Sequence, residues 1–175
     1  ELNVGTAESS HGNVNLSARS GEINAGDVEA VNGSVNLSTV SGAVNVTGDI
    51  NAAGRAVVSS VSGAINADGS ITAGSIDITG GGTINANSLN STGETFLSAG
   101  SGDVTVNTID SGGLTKILST GSGAINVGTA DSAHGDVNLS TRSGEITAGN
   151  VESANGNVNL STVSGAVNVT GDINA

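Results

Sequence analysis

The sequence predicts an all-β fold, a three-sided parallel β-helix (β-solenoid) of about eight coils with 19–21 residues each. Three observations support this prediction. A glycine recurs at nearly constant spacing, apolar and polar residues alternate after each of these glycines, and the composition lacks the large side chains of a globular core. We therefore expect residues 1–175 to form a single solenoid segment.

The recurring glycine sets the length of one coil. It follows a serine in seven of eight cases, and in the remaining case it lies within Gly-Gly-Gly. Successive glycines are 19–21 residues apart, which is a typical length for one turn of a solenoid. The eight positions are Gly21, Gly42, Gly63, Gly82, Gly102, Gly123, Gly144 and Gly165.

The sequence also contains a longer repeat that spans six coils. Residues 3–52 and 126–175 are identical at 41 of 50 positions, and the two segments are 123 residues, or six coils, apart. The chain thus holds one six-coil unit and the start of the next. We expect it to be part of a longer tandem array.

The alternation after each glycine has the period of a β-strand. The first apolar position should form one stack in the core, and the apolar residue two positions later, such as Ala25 or Val46, should form a second stack. The residue between them, mostly Asn, should face outward and form a hydrogen-bonded ladder along the solenoid. The predicted core stack is Ile23, Val44, Ile65, Ile84, Val104, Ile125, Ile146 and Val167.

Two further strands complete each coil. A short strand is predicted around Val28 and its equivalents, and a third strand, "VNLS" in four coils, should place its Val and Leu inward. Gly, Ser, Asn and Asp separate the strands, and we expect the corner glycines to adopt positive φ. Proline is absent, as expected where every strand needs its backbone N–H groups.

Composition and charge exclude several functions. The net charge is −12, with only four basic residues, so nucleic-acid binding and attachment to anionic membranes are disfavoured. No apolar run approaches the ~20 residues of a membrane span, which argues against membrane insertion. Without cysteine the chain has neither disulfides nor thiolate metal sites.

The candidate metal and catalytic residues are few. His11 and the equivalent His134 have no second ligand nearby, and Asp27, between Glu22 and Glu29, becomes Asn in the second copy. We therefore predict no metal and no cofactor. The chain has no Tyr or Trp to hold a sugar substrate and no cluster of acids and bases, so we predict that it is not an enzyme. An ice-binding surface would need a regular array of Thr side chains, and the outward column after each glycine is mostly Asn.

The stretch "HGDVNLSTRSGEITAGNVESANGNVNLSTVSGAVNVTGDINA" resembles the repeat region of filamentous-haemagglutinin-like exoproteins, which Gram-negative bacteria secrete by the two-partner route. Large cyanobacterial versions are especially similar. The resemblance covers essentially the whole chain. It implies a right-handed parallel β-helix, export to the bacterial cell surface or the extracellular space, and a role as a fibre or adhesin.

One outward position of the third strand departs from the Asn pattern. Counted along the coils it reads Asn15, Asn36, Val57, Asp77, Phe96, Ile117, Asn138 and Asn159. Val57, Phe96 and Ile117 would form an apolar patch that contains the only aromatic residue of the chain, Phe96. Such a patch is a candidate lateral contact between copies. The alternative is a bulge that turns these residues inward and Lys116 outward.

From these observations we expect a structural segment of an extracellular β-solenoid fibre or adhesin stalk. Such a segment would self-associate end to end or laterally, because open coil ends are unpaired strand edges. The alternative is a surface adhesin module that binds a glycan or a host receptor. That function would be marked by a long loop or an aromatic cluster on one coil, and coil length varies by only two residues.

Overall fold

Parallel strands stacked in successive coils make up the chain. The computed structural model describes residues 1–175 and contains no helix, hence none that could span a membrane. All strands belong to one sheet, and every pairing between them is parallel. This confirms the predicted all-β solenoid of about eight coils. In chain order the strands are β1 (Leu2–Ser9), β2 (Val14–Ala18), β3 (Ile23–Ala30), β4 (Val35–Thr39), β5 (Val44–Val46), β6 (Ile50–Ser60), β7 (Ile65–Gly80), β8 (Ile84–Ser91), β9 (Thr95–Ala99), β10 (Val104–Ser111), β11 (Thr115–Ser119), β12 (Ile125–Ser132), β13 (Val137–Thr141), β14 (Ile146–Ser153), β15 (Val158–Thr162), β16 (Val167–Val169) and β17 (Ile173–Asn174).

Each coil contributes three paired segments. In the third coil these are residues 44–46, 50–52 and 55–60, and all three pair with strand β7 of the following coil. Strand β6 therefore continues through one corner and β7 through two, and the eight-residue strands of most other coils, such as β3, continue through the corner between their first two segments. Corners that keep strand-like hydrogen bonding let every coil stack on the next over its full perimeter.

Aliphatic columns fill the interior. Ile23 pairs in register with Val44, Val44 with Ile65, and the same column continues to Val167. Every member is inaccessible to solvent except Val167, which lies in the last coil and is 42% exposed. The buried core consists of Val, Ile, Leu and Ala together with Ser and Thr at the corners, so the fold needs no aromatic side chain inside.

Glycine recurs at this corner mainly because a side chain would not fit there, and less because the backbone needs an unusual conformation. Only Gly21 and Gly42 have positive φ, so the expectation of positive φ at every corner is wrong. A Cβ at Gly63 would overlap the carbonyl oxygen of Gly42, and one at Gly144 would overlap that of Gly123. Coils stack so closely at this corner that the position has no room for a side chain.

Buried hydroxyl groups close the corners. Thr39 donates a hydrogen bond to the Gly21 carbonyl at 2.9 Å, and Thr141 donates to the Gly123 carbonyl at 2.8 Å. Ser60 makes the same bond to Gly42 at 2.8 Å, and its oxygen accepts the Gly63 N–H at 2.8 Å. These hydroxyls pair backbone groups that the turn leaves unpaired, which explains the Ser or Thr two residues before many of the Ser-Gly pairs.

Replacing the stacked glycine should destabilise the solenoid. We expect Gly63→Ala to cost about 1–3 kcal/mol, because the added methyl group overpacks the corner against the preceding coil. Gly5→Ala is the matched control, since a Cβ there meets no atom within 4 Å. Thermal unfolding followed by circular dichroism tests this, and equal melting temperatures for the two variants would contradict the explanation from space.

The corner hydroxyls offer a second test with the same substitution at two coils. Ser60→Ala leaves the Gly42 carbonyl and the Gly63 N–H without partners and should cost about 1–3 kcal/mol. Ser119 occupies the equivalent place three coils later, but its hydroxyl is buried without a partner. Ser119→Ala should therefore leave stability unchanged or raise it. Urea unfolding of both variants distinguishes them, and an equal loss at both positions would count against the role of the hydroxyl bond.

Candidate functional site

The outward column of the third strand changes character in the middle of the chain. Asn36 of β4 pairs with Val57 of β6, Val57 with Asp77 of β7, and Asp77 with Phe96 of β9. Phe96 then pairs with Lys116 of β11. Four consecutive coils thus replace the asparagine with an apolar or charged residue.

The prediction that Ile117 belongs to this column is wrong. Ile117 is fully buried and pairs with Leu97 and Leu139 of the core, whereas Lys116 takes the outward position. Val57 and Phe96 do lie on the outward side and are half-buried. Counting a fixed 21 residues from Phe96 leads to Ile117, but this coil is shorter at its corner, so the outward residue comes one position earlier.

The corner before the third strand contains fewer residues in the same four coils. In the second coil four residues, 31–34, separate the paired positions Ala30 and Val35. In the fourth coil only Gly74 and Ser75 separate the equivalent Ala73 and Ile76. Corners of three residues lie on either side, and in the seventh coil the length returns to four. A stretch of the solenoid edge is therefore set back from its neighbours.

The retracted edge and the altered column together form a groove. Its cavity has a volume of about 450 Å³. The groove holds the only aromatic residue and two of the four basic residues of the chain. It is lined by Arg55, Ser75, Ile76, Asp77, Glu94, Thr95, Phe96, Leu114 and Lys116.

Charged groups of both signs lie along this groove. Arg55 forms an ion pair with Asp77, and their side chains are 55% and 22% exposed. The Lys116 ammonium lies 5.9 Å from the centre of the Phe96 ring, a cation–π distance, and Glu94 is exposed beside them. Exposed pairs of this kind contribute only about 0–1 kcal/mol to stability, so exchanging one partner for a ligand would cost the fold little.

The first face of the solenoid offers less to a ligand. Its outward asparagines bond to one another: Asn24 donates to Asn3 at 2.9 Å, Asn45 to Asn24 at 2.8 Å and Asn66 to Asn45 at 2.8 Å. Each amide in this ladder satisfies its neighbour in the next coil. The ladder therefore reinforces the stacking of the coils.

Asp27, one of the candidate metal ligands, bonds to the backbone, as does its equivalent Asn150. An Asp27 carboxylate oxygen accepts the Asp49 N–H at 3.0 Å, and in the second copy the Asn150 side-chain oxygen accepts the Asp172 N–H at 3.0 Å. The role needs only a side-chain oxygen, which both Asp and Asn supply. No group of three or more His, Asp or Glu side chains is arranged to hold a metal ion.

A column of acidic residues lies on the second strand. Asp110, Asp131 and Glu152 are paired in register in three successive coils. Partial burial raises the pKa of Asp131 above its ordinary value of 3.8, and the charges of Glu152 and Asp110 raise it further. Like charges placed directly opposite one another oppose the stacking of these coils.

The groove residues Arg55, Glu94 and Leu114 were not singled out by sequence reasoning, whereas Asp77 was placed in the outward column. A signal was available, since the glycine spacing shortens to 19 and 20 residues in two successive coils. The only aromatic residue lies in the second of these, and Arg55 and Lys116, two of only four basic residues, lie in the coils on either side. Comparison with protein-family models, with curated proteins and with solved structures gives no match to this chain.

Asp131→Asn should stabilise the protein at neutral pH. A carboxyl whose pKa is raised on folding binds its proton more readily in the folded state, so it lowers stability above that pKa. This cost disappears as pH falls through the folded pKa to below the unfolded value. We therefore expect a higher melting temperature for the variant at pH 7 and no difference near pH 3.

The control for this prediction is Asp68→Asn, which removes the same charge from an exposed position outside the acidic column. Melting curves at the two pH values compare the variants. An equal gain from both substitutions at pH 7 would indicate an effect of net charge alone and contradict the role of the column.

Proposed function

We propose that this chain is a structural segment of an extracellular β-solenoid fibre or adhesin stalk, which self-associates by stacking coil on coil. The single observation that carries the proposal is the in-register continuation of each column from coil to coil. The core, the glycine corner and the Asn ladder all repeat along one axis. A fold of this kind gains length by adding coils without changing its cross-section.

The terminal coils support end-to-end assembly. In the last coil Val167 is 42% exposed and Ile173 is 51% exposed, although the equivalent residues Val44 and Ile50 of the third coil are fully buried. A further coil placed on this surface would bury the apolar groups and pair the free strand edge. Repetition of one such contact produces an open filament.

The repeat and the surface support an extended role outside the cell. Six coils form the 123-residue unit, and its second occurrence preserves the core positions almost entirely. The resemblance of "VNLSTVSGAVNVTGDINA" to the repeats of filamentous-haemagglutinin-like exoproteins agrees with a secreted fibre. High negative charge keeps such rods soluble and limits non-specific contacts.

Changing the number of units tests the proposal. We expect a chain lengthened by one 123-residue unit to form a rod longer by about 29 Å, since six coils each rise ~4.8 Å. Negative-stain microscopy and small-angle X-ray scattering of the original and lengthened chains measure this. Compact particles, or rods whose width grows instead of their length, would overturn the structural role.

A further inference from the structure

We propose that the groove lined by Arg55, Asp77, Glu94, Phe96 and Lys116 is a binding site for a neutral pyranose unit of a glycan. This inference goes beyond the structural role, because a rod requires only the stacked columns. A solenoid that served only as a spacer would have no need to interrupt its outward Asn column in four successive coils. It would also have no need to shorten the corner of the same four coils.

The shape of the groove is built by the backbone. The corner shrinks to Gly74 and Ser75 in the fourth coil and is longer on either side, so the strands themselves form the walls. Strands paired on both sides are the most rigid elements of this fold. A groove framed by them is pre-formed, which lowers the entropy lost on binding. Its volume of about 450 Å³ lies within the range of small-molecule sites, ~300–1,000 Å³.

The chemistry of the lining fits a ring with an apolar face and a polar rim. Phe96 and Leu114 supply apolar surface, and an aromatic face attracts the polarised C–H groups of a pyranose. Around them Arg55 and Lys116 donate hydrogen bonds, whereas Asp77 and Glu94 accept them. Sugar hydroxyls both donate and accept, so they can bond to groups of either kind, and bonds to charged partners are the stronger ones.

The balance of charge selects against other ligands. The groove holds two basic and two acidic side chains, so it has no net charge. A polyanion would meet these carboxylates and the overall charge of −12, and a strongly basic peptide would meet Arg55 and Lys116. A neutral ligand rich in hydroxyl groups avoids both conflicts.

The groove also differs from the Asn ladder of the first face, because several of its polar groups are not bonded to other side chains. Ladder amides on the first face bond to one another from coil to coil. Lys116 and Glu94 instead make no hydrogen bond to another side chain, and the Arg55–Asp77 pair is partly exposed. These groups can therefore turn to a ligand without breaking the stacking of the coils.

A single aromatic residue makes the test direct. In protein labelled only at phenylalanine, the ring signals in a ¹H–¹³C spectrum report on Phe96 alone. We expect at least one of the neutral methyl glycosides of glucose, galactose or mannose to shift these signals saturably. The same sugar should give a saturation-transfer difference signal whose strongest protons lie on one face of its ring.

Variants separate the site from the fold. Phe96→Leu and Asp77→Asn replace outward side chains and leave the core columns untouched, and each should weaken binding of that sugar about tenfold or abolish it. Val163→Ala, at an exposed position on another corner, should leave the affinity unchanged. Circular dichroism melting curves confirm that each variant is folded.

Three results would overturn the proposal. The first is the absence of a saturable shift with all three glycosides. The second is tighter binding of glucuronate or of a lysine-rich peptide, which would assign the groove to a charged ligand. The third is a change in the Phe96 signals with protein concentration alone, which would show that a second copy of the chain occupies the groove. None of these results bears on whether added units lengthen the rod.

Discussion

The close stacking of one coil on the next is the constraint on which the rest of this structure depends. Neighbouring coils lie at the ~4.8 Å spacing of paired strands, so each paired residue lies directly against its equivalent one coil away. At the Ser-Gly corner this leaves no space for a Cβ between Gly42 and Gly63. Inside, it places aliphatic side chains of similar size on one another, and at several corners it leaves carbonyls to which a Ser or Thr hydroxyl donates a hydrogen bond.

The same constraint explains what could be predicted from the sequence. Because each column repeats the same type of residue in every coil, the Ile23–Val44–Ile65 stack and the Asn ladder could be predicted from the periodicity of the sequence. Ile117 was wrongly predicted to face outward because insertions and deletions occur at the corners. Counting a fixed number of residues from one coil to the next does not show which corner has changed length. Anchoring on the apolar alternation of "TFLS" and "TKILS" places Lys116 outward. The groove was not predicted for a related reason, since the expected mark of a binding site was a lengthened loop and this groove is formed by shortened corners.

Stacking stabilises some of the outward columns of side chains and destabilises others. In the Asn ladder each amide donates to its neighbour, so repetition reinforces the contact between coils. In the column of Asp110, Asp131 and Glu152 the same repetition places like charges together, which raises the pKa of Asp131. The backbone bonding and apolar burial of these coils outweigh that repulsion. The solenoid can therefore carry varied chemistry on its surface while its interior stays uniform.

A weak site on a repeating rod has a consequence that the same site on a globular domain would lack. The groove lies within the six-coil unit, so in a tandem array it recurs about every 29 Å along one edge, at ~4.8 Å per coil. We expect a single half-buried aromatic residue with two ion-pairing groups to have low affinity for one sugar. Regularly spaced copies on a rigid axis convert each later contact with a polymeric glycan into an intramolecular event, which multiplies the overall affinity without any new contact. The length of the rod then determines the strength of attachment, and the two proposed properties of this chain, extension and recognition, depend on the same repeat.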